Sequence, residues 1–420
     1  MSDSQPPQTN RTPAPTLAQA TATATGRSAL MGAIFLMATS AIGPGFLTQT
    51  ATFTSQLGAA FAFAIMISII IDIAVQLNVW RVIGISGMRA QELGNAVLPG
   101  LGWLLSVFIA IGGLVFNIGN IAGGGLGLDA LMGLNTTLGG VITAGIAITI
   151  FLFKRLGTGL DKILVVLGLA MMLLTVYVAI VSKPPVGQAL RQTVFPDTIN
   201  WVTITTLVGG TVGGYITYAG AHRMLDSGQT GVDKIKTVSQ SSVTGILLTG
   251  IMRIALFLAV LGVVTGGVVL DTNGNPAAQA FHAAAGELGL RFFGVVLWAA
   301  SLSSVIGASY TSATFLIPNK EEKTSLQNWI TIAFILISCT AFVWLGTAPT
   351  KLLVFAGAFN GLVLPIGFSL MIYIAAFCCQ DLLKGYRYPK WLIAIGVLAM
   401  IMAWLLAWRS FEGVFALLGN

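Results

Sequence analysis

The sequence predicts an all-α integral membrane protein of about eleven transmembrane helices. They form two inverted five-helix repeats (helices 1–5 and 6–10) plus an extra helix, with helices 1 and 6 broken. Three observations predict it. Of 420 residues, 55% are hydrophobic and only 8% charged, more apolar surface than a soluble chain of this length hides, so lipid must cover much of it. Apolar stretches of ~20 residues, enough to cross ~30 Å of hydrocarbon, recur along the chain, without the strand alternation of a barrel. Lys and Arg also segregate: fifteen fall on the side of the N-terminus and five on the other, with Arg253 left inside a span.

Residues 1–27 are polar and rich in Pro, Thr and Ala, the composition of a disordered cytoplasmic tail. They lack the charged-then-apolar order of a cleavable signal, so the first apolar segment is expected to remain. One transmembrane domain, 28–420, follows. Its spans are placed at about 29–54, 58–84, 101–127, 135–153, 161–182, 200–221, 240–266, 291–317, 327–345, 352–378 and 391–410. The repeats then cover about 28–182 and 200–378, with the extra helix at about 391–410. The charge bias places the N-terminus in the cytoplasm, the C-terminus outside and the chain in the plasma (inner) membrane. The formal net charge of +7 is thus a topology signal and implies no nucleic acid. Cys339, Cys378 and Cys379 have no ligand-set spacing and suggest neither a disulfide framework nor a metal site.

Two spans contain breakers. The first reads LMGAIFLMATSAIGPGFLTQTATF, with Pro44 between Gly43 and Gly45. The sixth reads WVTITTLVGGTVGGYITYAGAH, with Gly209, Gly210, Gly213 and Gly214 at its centre. Proline removes a backbone donor and glycine weakens a helix. In lipid, freed backbone groups are costly unless protein, water or ligand satisfies them. Close helix packing would explain one glycine-rich span. Interruptions at matching positions of two repeats point instead to the central site of a transporter.

Here the sequence resembles the NRAMP family of divalent-metal transporters, which have the bacterial leucine-transporter fold. The stretch GPGFLTQTATFTSQLG overlies the family's helix-1 Asp-Pro-Gly-Asn motif, and GGTVGGYITY overlies its helix-6 motif containing Met-Pro-His. Gln76 with ISG at 85–87, SLSS at 301–304 and LP at 364–365 extend the similarity from about residue 30 to 380. The resemblance implies a metal held by a helix-1 Asp and Asn, a helix-6 carbonyl and a Met thioether. The corresponding positions here are Gly43, Phe46, Gly210 and Gly213. Charge, amide and sulfur are absent, so no manganese or iron site is expected there. The family's helix-3 Asp-x-x-Glu pair falls on Asn117 and Asn120, which do not titrate, and its helix-6 His falls on Tyr215. His222 is expected to be solvated or capping, and His282 to lie on an outer surface.

The altered centre is expected to bind an organic group. Half-helix N-termini present N–H donors and partial positive charge, which suits a carboxylate or zwitterion. The candidate substrate-binding residues are Gly43, Pro44, Gly45, Phe46, Gly210, Gly213, Gly214, Tyr215, Asn117 and Asn120. Thr48, Gln49 and Asn360 are further polar candidates, though interhelical hydrogen bonding would also explain them. Ala300, Ser303 and Ser304 match the pattern with which sodium-coupled members of the wider fold hold Na⁺; packing serines are the plainer reading. Asp72 and Arg253, ionisable residues inside spans, are functional candidates or a structural pair.

The expected function is a secondary active transporter of a small organic solute, an amino acid or carboxylate, coupled to Na⁺ or H⁺ and requiring no cofactor. A divalent-cation (Mg²⁺/Mn²⁺) transporter with a rebuilt site, using Asp72 or Asp129, is the alternative. A non-transporting receptor is third. No nucleotide loop, HExxH-type motif or membrane-protease constellation suggests an enzyme.

Overall fold

A computed structural model describes residues 43–152, 157–317 and 324–419. The tail, the first half of the first span, and the junctions at 153–156 and 318–323 lie outside the described residues. The chain runs α1 Pro44–Leu57, α2 Phe61–Ser86, α3 Ala90–Val97, α4 Leu101–Met132, α5 Thr136–Leu152, α6 Gly157–Val181 and α7 Val186–Val194. It continues α8 Trp201–Thr211, α9 Ile216–Asp226, α10 Ile235–Thr265, α11 Pro276–Leu316, α12 Thr324–Leu345, α13 Pro349–Phe377 and α14 Lys390–Gly419.

Among the described residues, seven helices are long and apolar enough to cross a membrane, or eight if the bent pair α6–α7 is one span. Part of the difference from eleven is that the first half of the first span lies outside the described residues; the rest is physical. The second half of the first span runs on into the second, Pro44–Ser86, without passing separately; α5 is short; and the sixth span is split into α8 and α9. Three helical pieces were not legible in the hydropathy. They are α3, α7 and the first arm of α11, which bends at Gly286 (φ 64°, ψ −159°), a backbone conformation that only glycine adopts without strain.

Small residues bring the helices together. A Cβ on Gly127 of α4 would stand 2.5 Å from the Trp298 nitrogen of α11, and one on Gly294 of α11 would stand 2.5 Å from the Leu131 nitrogen of α4. Backbones touch there because no side chain intervenes, the usual solution where lipid supplies no hydrophobic drive. Gly209 of α8 lies in the same way on Gly357 and Gly361 of α13. Helices α2, α4, α8, α10, α11 and α13 thus enclose α1 and the α8–α9 junction, where every residue from Gly43 to Thr54 and from Thr203 to Tyr218 is buried.

Candidate functional site

Helix α1 starts at Pro44, with Gly43 as its N-cap at φ −75°, ψ −178°. Proline at the first helical position loses nothing, since that N–H would have no helical partner. The first helical bond runs from Leu47 N to Gly43 O at 3.3 Å, and no side chain caps the turn. The donors ahead of it, with the positive end of the helix dipole, point into the protein interior. Gly43 is in ordinary extended backbone that any residue adopts, so its conformation does not demand glycine.

The second break lies further along than the glycine pattern places it. Helix α8 continues regularly through Gly209 and Gly210 to Thr211, and the chain turns over residues 212–215. The Val208 carbonyl accepts from both Val212 N (2.9 Å) and Gly213 N (3.1 Å), which closes α8. Gly214, at φ 50°, makes the left-handed step, and its Cα lies against the Asn360 side chain. Gly209 and Gly210 are therefore packing glycines, and the turn itself is made at 212–215.

Gln49 joins the two breaks. Its Nε2 donates to Leu353 O of α13 at 3.0 Å, and its Oε1, which accepts no hydrogen bond, lies 2.7 Å from where a Cβ on Gly210 would be. A Cβ on Gly45 would come within 3.3 Å of Gln49 Nε2 and 3.9 Å of Phe116. Phe116 in turn meets Tyr215 edge-on, centroids 5.5 Å apart. Tyr215 is fully enclosed beside Asn120, whose amide nitrogen and oxygen both lack hydrogen-bond partners. Asn360 Nδ2 donates to Gly112 O (3.0 Å) and Ala356 O (2.8 Å), leaving Oδ1 unpartnered against Gly214. Pro44 rests on Gly123.

The structure separates the two expected asparagines. Asn120 faces the break. Asn117 turns away, donating to Ser309 Oγ (3.0 Å) and Ser338 Oγ (3.1 Å). Of the expected ion ligands, Ser304 is buried with an unpartnered hydroxyl, whereas Ala300 and Ser303 are half-buried. Ser301 is the hydroxyl that approaches Gly123 and Pro44, and it is committed to Leu297 O at 2.6 Å. His222 is buried rather than solvated. Its Nε2 accepts from Ala90 N at 3.4 Å, capping α3, and its ring stacks on Phe315 at 4.8 Å. His282 is exposed, as expected, but sits on the first arm of α11 near Glu287. Asp129 is exposed at the far end of α4, near Arg291.

Whether the two buried charges pair could not be read from sequence, and the structure answers it. Arg253 of α10 holds its guanidinium carbon 4.5 Å from the centre of the Phe46 ring, over the first turn of α1, a cation–π distance. Asp72 of α2 faces Thr211, the last residue of α8, and Arg253 attracts it electrostatically. Asp72 is 1% exposed and Arg253 2%. They form no direct ion pair. Both carboxylate oxygens of Asp72, and Nε and Nη2 of Arg253, lack hydrogen-bond partners. Among the described residues, no three His, Cys, Asp or Glu side chains converge as a metal site would require.

Apolar helices broken around a buried polar centre are the architecture of a membrane protein with an internal site. Residues 34–411 match the family described as natural resistance-associated macrophage protein-like (Nramp), and the chain belongs to that family. It is 52% identical over 377 residues to the Bacillus subtilis (strain 168) membrane protein YcsG, covering 89% of this chain and 92% of that one. Its fold is that of the Eremococcus coleocola manganese transporter (TM-score 0.72, 17% identity, 92% of this chain and 87% of the other). MhsT, solved in complex with L-phenylalanine, is also similar (TM-score 0.63, 15% identity, 92% and 98%).

Proposed function

We propose that this Nramp-family protein is a secondary active transporter of a small organic solute, an amino acid or carboxylate, driven by an ion gradient. We place it in the plasma (inner) membrane with its N-terminus cytoplasmic. The observation that carries the reading is the chemistry of the closed centre. The positions corresponding to the family's metal ligands are Gly43, Phe46, Gly210 and Gly213, and the cation Arg253 lies directly over Phe46. A divalent ion beside this guanidinium is repelled by it, and among the described residues only the Asp72 carboxylate opposes that repulsion. A carboxylate at the same point is attracted. The N-terminus of α1 adds donors, and Phe46, Phe116 and Tyr215 offer an apolar wall to the rest of the solute.

A metal substrate is the second reading. It is favoured by membership of the family and by the manganese transporter among its structural neighbours. Asp72, Gln49 Oε1 and Asn120 Oδ1 would supply oxygen ligands to a hard cation. The test is thermal stabilisation of the purified protein by amino acids, carboxylates and Mn²⁺ or Mg²⁺, followed by uptake into proteoliposomes. Stabilisation and uptake of a carboxylate, with no saturable micromolar Mn²⁺ binding, is the expected result. Saturable Mn²⁺ binding lost in Asp72→Asn would replace the organic reading with the metal one.

A further inference from the structure

Arg253 and Asp72 stand at different breaks. The guanidinium covers Phe46, in the first turn of α1, while the carboxylate faces Thr211, at the end of α8. Both residues sit mid-helix in spans, and α2 packs on α10 on either side of Asp72. Gln76 Nε2 donates to Ser242 O at 2.8 Å on one side, and a Cβ on Gly250 would press on Ile69 at 2.8 Å on the other. Arg253 lies three residues past Gly250, beyond these contacts. The closed, bidentate ion pair that compensates burial best is not made, and two donors and two acceptors remain unpartnered.

We propose that Arg253 is the anchor for the solute's carboxylate and that Asp72 is the coupling proton's carrier, so that one carboxylate and one proton move together. This rests on the organic-solute reading above. On this proposal, Arg253⁺ is balanced by Asp72⁻ in the solute-free protein and the centre is neutral. When a carboxylate takes the guanidinium fork, two anions would share one cation in a site closed to water, and like charges held that way do not both stay ionised. Asp72 takes a proton from the aqueous side. The centre then holds a neutral acid, the guanidinium and the solute anion, and is neutral again. Neither state buries a net charge, and release of the solute returns the proton. The groups facing Asp72 from neighbouring elements are Arg253 of α10 and the hydroxyl of Thr211 of α8.

The experiment uses full-length protein and a panel of acetate, propionate, benzoate and L-phenylalanine, each matched to its primary amide. The carboxylates are expected to bind and the amides not. Binding linked to one proton weakens by about tenfold per pH unit once Asp72 is ionised in the free protein. In Asp72→Asn the pH slope should vanish, and a proton gradient should no longer drive accumulation into proteoliposomes. Arg253→Gln should weaken carboxylate binding at least tenfold. Should that variant fold poorly, the electroneutral double variant Asp72→Asn/Arg253→Gln makes the same test. Carboxylate binding that is flat with pH in the unaltered protein, or retained in the double variant, overturns the inference and leaves the organic-solute reading standing. No carboxylate binding at all overturns both.

Discussion

Two polar clusters lie inside the helical body, and they are finished differently. At Asn117 the amide nitrogen donates to Ser309 and Ser338 on two neighbouring helices, both hydroxyls pass their own hydrogens to the carbonyls of Val305 and Phe334, and only the neutral Oδ1 is left without a partner. That is a knot of short, neutral bonds. At Asp72 and Arg253 the charges are formal, the burial as deep, and four polar atoms have no partner. The first cluster fastens α4, α11 and α12 together. The second holds its donors and acceptors in reserve. In a membrane, where an unmade bond is costly and a buried charge more so, unpartnered formal charge is the better guide to a working site than polarity itself.

Breaking the second cluster should have the largest effect. Arg253→Gln leaves Asp72 buried without its counter-charge, and losses of about 3–5 kcal/mol are typical of such changes. A marked fall in melting temperature is expected, with most of it recovered in the double variant carrying Asp72→Asn. Failure of the double variant to recover would mean that the two charges do not compensate each other.

The turn between the clusters comes next. Gly214→Ala forces a side chain into φ 50° and onto the Asn360 amide, a combination of strain and overpacking of about 2–4 kcal/mol. Gly43→Ala, at extended φ, should be close to neutral in stability. Equal losses at both positions would contradict the distinction drawn between the two breaks.

Asn117→Ala removes two neutral hydrogen bonds and should cost about 1–2 kcal/mol, leaving the pH dependence of solute binding unchanged. A changed pH profile would place Asn117 in the transport machinery after all. A smaller effect than at Asn117 is expected at His222. Its replacement by Ala removes the α3 cap, worth about 1 kcal/mol, measurable as a small shift in thermal unfolding with transport retained.

Most of the architecture was legible because hydropathy reports directly on lipid exposure: α2, α4, α10, α12, α13 and α14 fall where long apolar runs place them. The helices that hydropathy missed, α3 and α7, are short and carry polar residues such as Gln91, Glu92, Gln188 and Arg191. Pro44 located the first break because proline leaves one mark. The second was placed too early because glycine leaves two. At Gly209 and Gly210 it permits contact with α13 and Gln49, while at Gly214 it permits a backbone angle, and sequence alone does not separate these uses. The approach of Arg253 to Phe46 spans 207 positions of chain, and no local pattern encodes it. Gly357 and Gly361, four apart in α13, were the available signal for the packing against α8.

The chain turns through 106° between Val166–Val181 and Val186–Val194, which lays α7 almost flat against the body. It hides Ala189 and Gln192 while leaving Leu190, Val194 and Phe195 outward. A helix of this kind settles in the headgroup layer and resists being pulled through it. It works like the foot of a bracket. With α7 seated there, α6 would lean about the corner at Lys183 more readily than slide along its own length, so an opening of the centre would draw on tilts around this corner before pistons.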